Sequence, residues 1–135
     1  MQIGFGNFGP THLAAWRTLG LADNLYVVDP DKVARCRCRD LGIASNRISG
    51  SVEDFLNIAD LVVILAPTDL HFEICLPVLN TQKPIFIEKP MTGNLRDALA
   101  FKKLIRNQVV QVGFYFRTHP LAQRAKEEID KGRLG

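Results

Sequence analysis

Two rhythms of apolar residues alternate along the chain. Short runs that are apolar at nearly every position give way to longer stretches in which apolar residues recur every three or four places. The first rhythm is that of a buried strand, the second that of a helix with one face on a core. Strands are expected at residues 1–5, 25–28, 61–66, 84–87 and 109–114, with a weaker one through Arg47-Ile48. The run Leu61-Val62-Val63-Ile64-Leu65-Ala66 is apolar throughout, as in a parallel strand covered on both faces.

Helices fill the intervals. The first is expected from Pro10 to about Gly20, with Leu13 and Trp16 inward. The second covers residues 31–41 and stops at Gly42, with Ala34, Cys38 and Leu41 on one face. Ser51-Val52-Glu53-Asp54 has the form of a capping box and predicts a short helix. Thr68 is placed to cap a further helix, which Pro77 should kink or end early. Residues 94–107 predict an amphipathic helix with Leu95, Ala98, Phe101 and Ile105 inward. After a polar turn at Arg117-Thr118-His119-Pro120, a last helix carries Leu121, Ala125 and Ile129 to Gly132. This alternation predicts an α/β protein: a doubly wound parallel sheet with helices on both faces, in one domain over residues 1–135.

Such a sheet opens a crevice at the carboxyl ends of its strands. Polar and glycine-rich segments gather at those ends. Gly4-Phe5-Gly6-Asn7-Phe8-Gly9 follows the first strand and matches the turn on which a dinucleotide pyrophosphate rests. In that reading Gly4 makes the turn, Gly6 clears room for phosphates, and Gly9 lets strand and helix pack closely. The helix that follows aims its free N–H groups at the anion. Asp29 ends the second strand about 20 residues on, where a dinucleotide fold places its ribose-binding acid. A carboxylate there would repel a 2′-phosphate, which favours NAD over NADP. Asp29 also suits a helix cap, and the two roles are compatible. Pro67-Thr68, Glu88-Lys89-Pro90 and Arg117 end later strands.

Composition narrows the class without naming a reaction. The chain has 135 residues, 47% of them hydrophobic and 23% charged, enough for a single globular core. A net charge of +3 suggests neither nucleic acid nor a membrane surface as partner. Three cysteines, an odd number, fit reduced thiols in the cytoplasm. Cys36 and Cys38 form C-x-C without a second pair, and the three histidines have no ligand spacing, so no metal is expected. Arg35, Arg37 and Arg39 read as solvated surface, with one of them available to the adenine or a phosphate.

Lys89 draws the most interest among the polar positions. It stands at a strand end before a proline, which pushes it from the helical region or holds a cis bond. Directed into the crevice, it would donate to a substrate hydroxyl or lower the pKa of a nearby base. A solvated loop lysine is the plainer alternative. Glu88 is open to pairing with Lys89, to a backbone bond, or to the nicotinamide ribose. His71 is read as packing on the cofactor, as steadying its loop, or as a helix-end histidine with a local bond. His12 packs behind the glycine turn, and His119 is a turn residue.

With these residues in view, the chain resembles the N-terminal domain of the Gfo/Idh/MocA oxidoreductases. The matching pieces are the glycine turn with His12, Asp29, Ala66-Pro67-Thr68 with His71, Glu88-Lys89-Pro90, and the run from Gly113 to Pro120. The resemblance implies a Rossmann fold and hydride transfer between NAD(P) and a sugar, a cyclitol or a similar small molecule. It implies Lys89 as the catalytic lysine. It also implies a cofactor site made by Gly4, Gly6, Asn7, Phe8, Gly9, Asp29, Ala66, Pro67, Thr68, His71, Glu88, Lys89 and Arg117. Members of that family continue into a second α/β domain that brings substrate contacts and a homo-oligomer interface. The sequence ends at Gly132-Arg133-Leu134-Gly135, about where that domain should begin, so the substrate domain is expected to be absent and the chain to be a fragment or isolated domain. The open surface near residues 112–116 should then favour self-association. The alternatives are a non-catalytic dinucleotide-sensing module and an S-adenosylmethionine-binding fold, the latter disfavoured by Glu88-Lys89-Pro90.

Overall fold

The computed structural model describes residues 1–133; Leu134 and Gly135, which the sequence reading includes in the domain's end, lie outside the described residues. Strands β1 (Gln2–Ile3), β2 (Val27–Val28), β3 (Ile48–Ser49), β4 (Val62–Ile64), β5 (Ile85–Ile87) and β6 (Val110–Val112) form one sheet in the order β3-β2-β1-β4-β5-β6. Every pairing is parallel. The helices are α1 (Gly9–Thr18), α2 (Lys32–Asp40), α3 (Glu53–Leu56), α4 (His71–Asn80), α5 (Leu95–Leu104), α6 (Tyr115–Thr118) and α7 (Pro120–Asp130). The doubly wound parallel sheet expected from the hydrophobic pattern is what forms.

Strand alternation divides the core in two. Ile3, Val28, Val62, Ile64, Ile85 and Ile87 point to one face and pack with Cys75, Val78, Leu79 and Phe101 from α4 and α5. Phe5 and Val27 lie with Leu13, Ala34 and Cys38 from α1 and α2. On that second side the fully buried Gln2 is a polar exception that the apolar pattern hides. Its amide donates to the Gly4 carbonyl at 3.1 Å and accepts from the Trp16 indole N–H at 3.1 Å, so both ends are satisfied.

Several local expectations are corrected. Pro77 neither stops nor shortens α4, which runs three residues further to Asn80. The carbonyl that a normal residue 77 would bond belongs to Glu73, and both residues are on the exposed side, where water replaces the lost donor. Thr68 does not cap α4; it begins a 3₁₀ turn, Thr68–Leu70, that leads into it. Ser51 does not cap α3, whose cap position is Val52; its hydroxyl meets Glu53, while Asp54 meets Ser49. Leu95, the first residue of α5 after its Asn94 cap, is 73% exposed, and α5 ends at Leu104 rather than 107.

The polar turn at Arg117–Pro120 is mostly helical. Residues 115–118 form α6, and His119 caps α7 by accepting from the Leu121 N–H at 3.3 Å. Leu121 (74% exposed) and Ile129 (55%) are not inward, and Ala125 is exposed as well. Helix α7 packs chiefly on the short α6 and buries no residue. Its apolar stripe, with Phe114, Tyr115 and Phe116, faces outward.

Two predictions test this packing. Phe101→Ala should cost about 3–5 kcal/mol in urea unfolding, whereas Leu95→Ser should stay within about 0.5 kcal/mol. Burial pushes the Cys38 thiol up to about 12, with the Asp29 carboxylate adding to the shift, and burial pushes Cys75 to about 12. Both stay neutral at pH 8, so a thiol reagent should label half-buried Cys36 in the native chain and the other two only in denaturant.

Candidate functional site: a cavity at the carboxyl ends of the strands

A cavity of about 710 Å³ opens at the carboxyl ends of β1, β2, β4 and β5. Of the residues expected there, Gly4, Gly6, Asn7, Phe8, Asp29, Ala66, Pro67, Thr68, His71, Glu88 and Lys89 line it. Gly9 does not; it lies beneath, where a Cβ would come within 2.8 Å of the Phe5 ring. Arg117 does not line it either. It is exposed on α6, with its guanidinium 4.8 Å from the Phe114 ring centre.

The glycine turn is shaped by backbone approach. Gly4 has φ +96, and a Cβ there would meet the Leu65–Ala66 peptide at 2.8 Å, so two constraints select glycine at once. Nothing stands within 4 Å of a Cβ at Gly6, which leaves that side of the turn open. The N-terminal end of α1 has no side-chain cap and no acidic residue in its first turn. Its partial positive charge is therefore not neutralised by the helix itself.

Asp29 is 8% exposed and fixed by two backbone amides. Oδ2 accepts from the Phe5 N–H at 2.7 Å and Oδ1 from the Asp31 N–H at 2.8 Å. A carboxylate has about four acceptor positions, so further donors can still be bound. Arg35 was not separable from Arg37 and Arg39 by pattern alone. Its Nη1 donates to the Asp29 and Pro30 carbonyls, each at 2.7 Å, and holds the turn from outside. Its place one helical turn after the Asp31 cap is the signal that would have set it apart.

The far wall is built around the turn after β5. The Lys89–Pro90 peptide bond is cis. Lys89 is exposed at the rim, and its ammonium has no hydrogen bond or ion pair among the described residues. The Glu88 N–H donates to the Ile64 carbonyl at 3.0 Å, which ties this turn to β4. His71 is 1% exposed and lies between loops. Its Nε2 is 2.7 Å from the Ala66 carbonyl oxygen, and its Nδ1 is 3.1 Å and 3.3 Å from those of Pro90 and Met91. Carbonyls only accept and a neutral imidazole carries one N–H, so the ring donates to one of these walls and packs against the other. No group of His, Cys, Asp and Glu among the described residues is arranged to hold a metal ion, and no described helix is long and apolar enough to cross a membrane.

A parallel doubly wound sheet with a glycine turn, an acid at the second strand end and a shared cavity is a dinucleotide-binding domain of the Rossmann type. Residues 2–116 match the Gfo/Idh/MocA family, described as an oxidoreductase family with an NAD-binding Rossmann fold, and the chain belongs to it. It is 35% identical over 78 residues to scyllo-inositol 2-dehydrogenase (NAD(+)) of Bacillus subtilis, covering 56% of this chain and 23% of that protein. It is 32% identical to inositol 2-dehydrogenase 1 of Paenarthrobacter aurescens, over 85% of this chain and 36% of the relative. Among solved structures, scyllo-inositol dehydrogenase from Lactobacillus casei with bound NAD(H) and scyllo-inositol superposes with a TM-score of 0.84 at 22% identity, over 99% of this chain and 41% of that one. The chain thus spans at most about two fifths of these relatives' length.

The buried position of His71 yields a prediction. His71→Leu should leave the carbonyl that the ring N–H serves without a donor and lower stability by roughly 1–3 kcal/mol in chemical denaturation. An unchanged unfolding midpoint would show that the ring holds neither loop.

Proposed function

We propose that the cavity holds NAD(H) and that the chain is the cofactor half of a dehydrogenase acting on a sugar, a cyclitol or a similar hydroxy or carbonyl compound. The observation that carries the reading is Asp29: a buried carboxylate, already oriented by Phe5 and Asp31, with acceptor capacity left over at the cavity wall. It would accept from the adenosine ribose hydroxyls and oppose a 2′-phosphate, so NAD is preferred over NADP. Gly6, with Asn7 and Phe8 beside it, leaves room for the pyrophosphate at the uncapped end of α1. Ala66, Pro67 and Thr68 form the wall between the two ends, and Glu88 and Lys89 flank the nicotinamide end.

Bound nicotinamide would supply hydride acceptance or donation. Lys89 is the residue proposed as catalytic. Its unengaged ammonium can donate to the substrate oxygen whose proton is lost or gained. The names of the relatives support a polyol or sugar substrate. The three free cysteines support a reducing, cytoplasmic setting. Homo-oligomeric assembly belongs to the same proposal and is supported by the outward apolar residues of α6 and α7.

Calorimetric titration with NADH and NADPH tests the reading. NADH should bind at least about tenfold more tightly, a difference of about 1.4 kcal/mol. Gly6→Val should abolish that binding while leaving the melting temperature within about 2 °C, because the added atoms enter the cavity rather than the core. Equal affinity for both dinucleotides would overturn the role of Asp29, and full binding by Gly6→Val would move the pyrophosphate elsewhere.

A further inference from the structure

His12 has no part in the cofactor reading, yet its contacts reach the residue proposed to do the chemistry. It stands near the start of α1, next to the glycine turn, with its ring edge-on to Phe86 at a centroid distance of 6.1 Å. Its Nε2 donates to Glu88 Oε1 at 3.1 Å across 76 residues of sequence. The other oxygen of that carboxylate, Oε2, accepts the backbone N–H of Lys89 at 3.1 Å. Gly113 on the neighbouring segment leaves just enough space for this arrangement: a Cβ there would come to 3.1 Å from Glu88 Oε2 and 3.0 Å from the Phe86 ring. The His12 and Glu88 side chains are 20% and 24% exposed, so their contact is shielded more than an ordinary surface pair.

These contacts form a chain from helix to turn. Glu88 has one oxygen for His12 and one for Lys89, and the space beside Gly113 admits little else. If His12 lets go, Oε1 loses its partner and the carboxylate can swing. It then releases the Lys89 amide and brings an uncompensated negative charge to a wall that the proposed function sets near anionic phosphates. We propose that His12 is a positioning residue for Lys89, acting through the Glu88 carboxylate. It couples the helix at the pyrophosphate end of the cavity to the turn that carries the catalytic lysine. This rests on the NAD(H) reading of the cavity. A histidine that merely packs on Phe86 would need no donor at Nε2, and the variants below separate the two cases.

The test is amide NMR of the unliganded chain, with NADH titration alongside. His12→Leu should move the Glu88 and Lys89 amide resonances, speed Lys89 amide exchange by about tenfold and weaken NADH binding by about tenfold. His12→Phe keeps a ring against Phe86 but has no donor, and should behave as His12→Leu does; it serves as the probe if the leucine variant does not fold. His12→Gln offers an amide donor to the same oxygen and should restore both readouts to within about threefold of the starting chain. Combining His12→Leu with Glu88→Gln should weaken binding no further than the worse single change, as for residues that act as one unit. Unchanged Lys89 resonances in a folded His12→Leu or His12→Phe chain would overturn the proposal. So would a His12→Gln chain as impaired as His12→Leu, or additive losses in the double variant. If the unaltered chain binds no NADH, the cofactor reading fails by itself, and the unliganded Lys89 signals still decide the role of His12.

Discussion

The carboxylate of Asp29 joins the two turns on which the cavity depends. One oxygen takes the N–H of Phe5, inside the glycine turn, and the other takes that of Asp31, at the cap of α2. Each is a charge-assisted bond, worth roughly 1.5–3 kcal/mol where solvent is excluded. Together they set the turn after β1 and the turn after β2 at a fixed distance, and Arg35 secures the second from its outer side. Asp29 is therefore oriented before any ligand arrives. That lowers the entropic cost of using it as an acceptor. Asp29 is not the cap of α2, since Asp31 takes that place by accepting from the Val33 N–H; the two backbone bonds of Asp29 occupy only half of its acceptor positions and leave the rest for a ribose.

Sheet order explains why residues so far apart in sequence meet there. The chain builds β1, β2 and β3 outward in one direction, then returns to place β4 on the other side of β1. At that reversal the turn after β1 and the segment after β4 approach until Gly4 touches the Leu65–Ala66 peptide. Only glycine tolerates both that contact and a φ of +96. The cavity opens beside this contact. Two histidines then lie against the turn after β5, His12 from α1 bonded to Glu88 and His71 from the start of α4 with its Nδ1 beside the Pro90 and Met91 carbonyls.

Features that were legible in the sequence are those written in local pattern. The apolar runs located every strand but β3, which left only a weak trace at Arg47-Ile48; the glycine spacing located the turn, and the strand ends located Asp29 and Glu88-Lys89-Pro90. Features that were not legible depend on neighbours distant in sequence. Leu121 and Ile129 have the right spacing for a buried face, but periodicity cannot say whether anything packs on it. Pro77 has the usual penalty, but its lost bond faces water, so α4 continues. Gln2 looks misplaced in an apolar strand until the Trp16 indole is found at 3.1 Å. His12 and Glu88, 76 residues apart, have nothing in their local sequence that pairs them. Arg117 was drawn into the site by its place after the last strand and by resemblance, but it sits on α6 and the cavity does not reach it.

The cavity lining runs from Ile3 to Lys89, and no residue of β6, α6 or α7 contributes to it. In the proposed reading, holding a dinucleotide therefore falls to the stretch that lines the cavity, and contacting what lies beyond it to other parts of the chain. The first stretch is preorganised: its carboxylate, its glycine turn and its two histidine braces are all bonded without a ligand. The second stretch is not, since α7 buries no residue and its apolar side has no cover among the described residues. Lys89 is the one proposed functional group at the edge between them. Its backbone is tied into the first stretch through Glu88, while its ammonium is unengaged among the described residues. A lysine so placed has its origin fixed and its end free, which suits a group that must meet a substrate brought from outside the cofactor cavity.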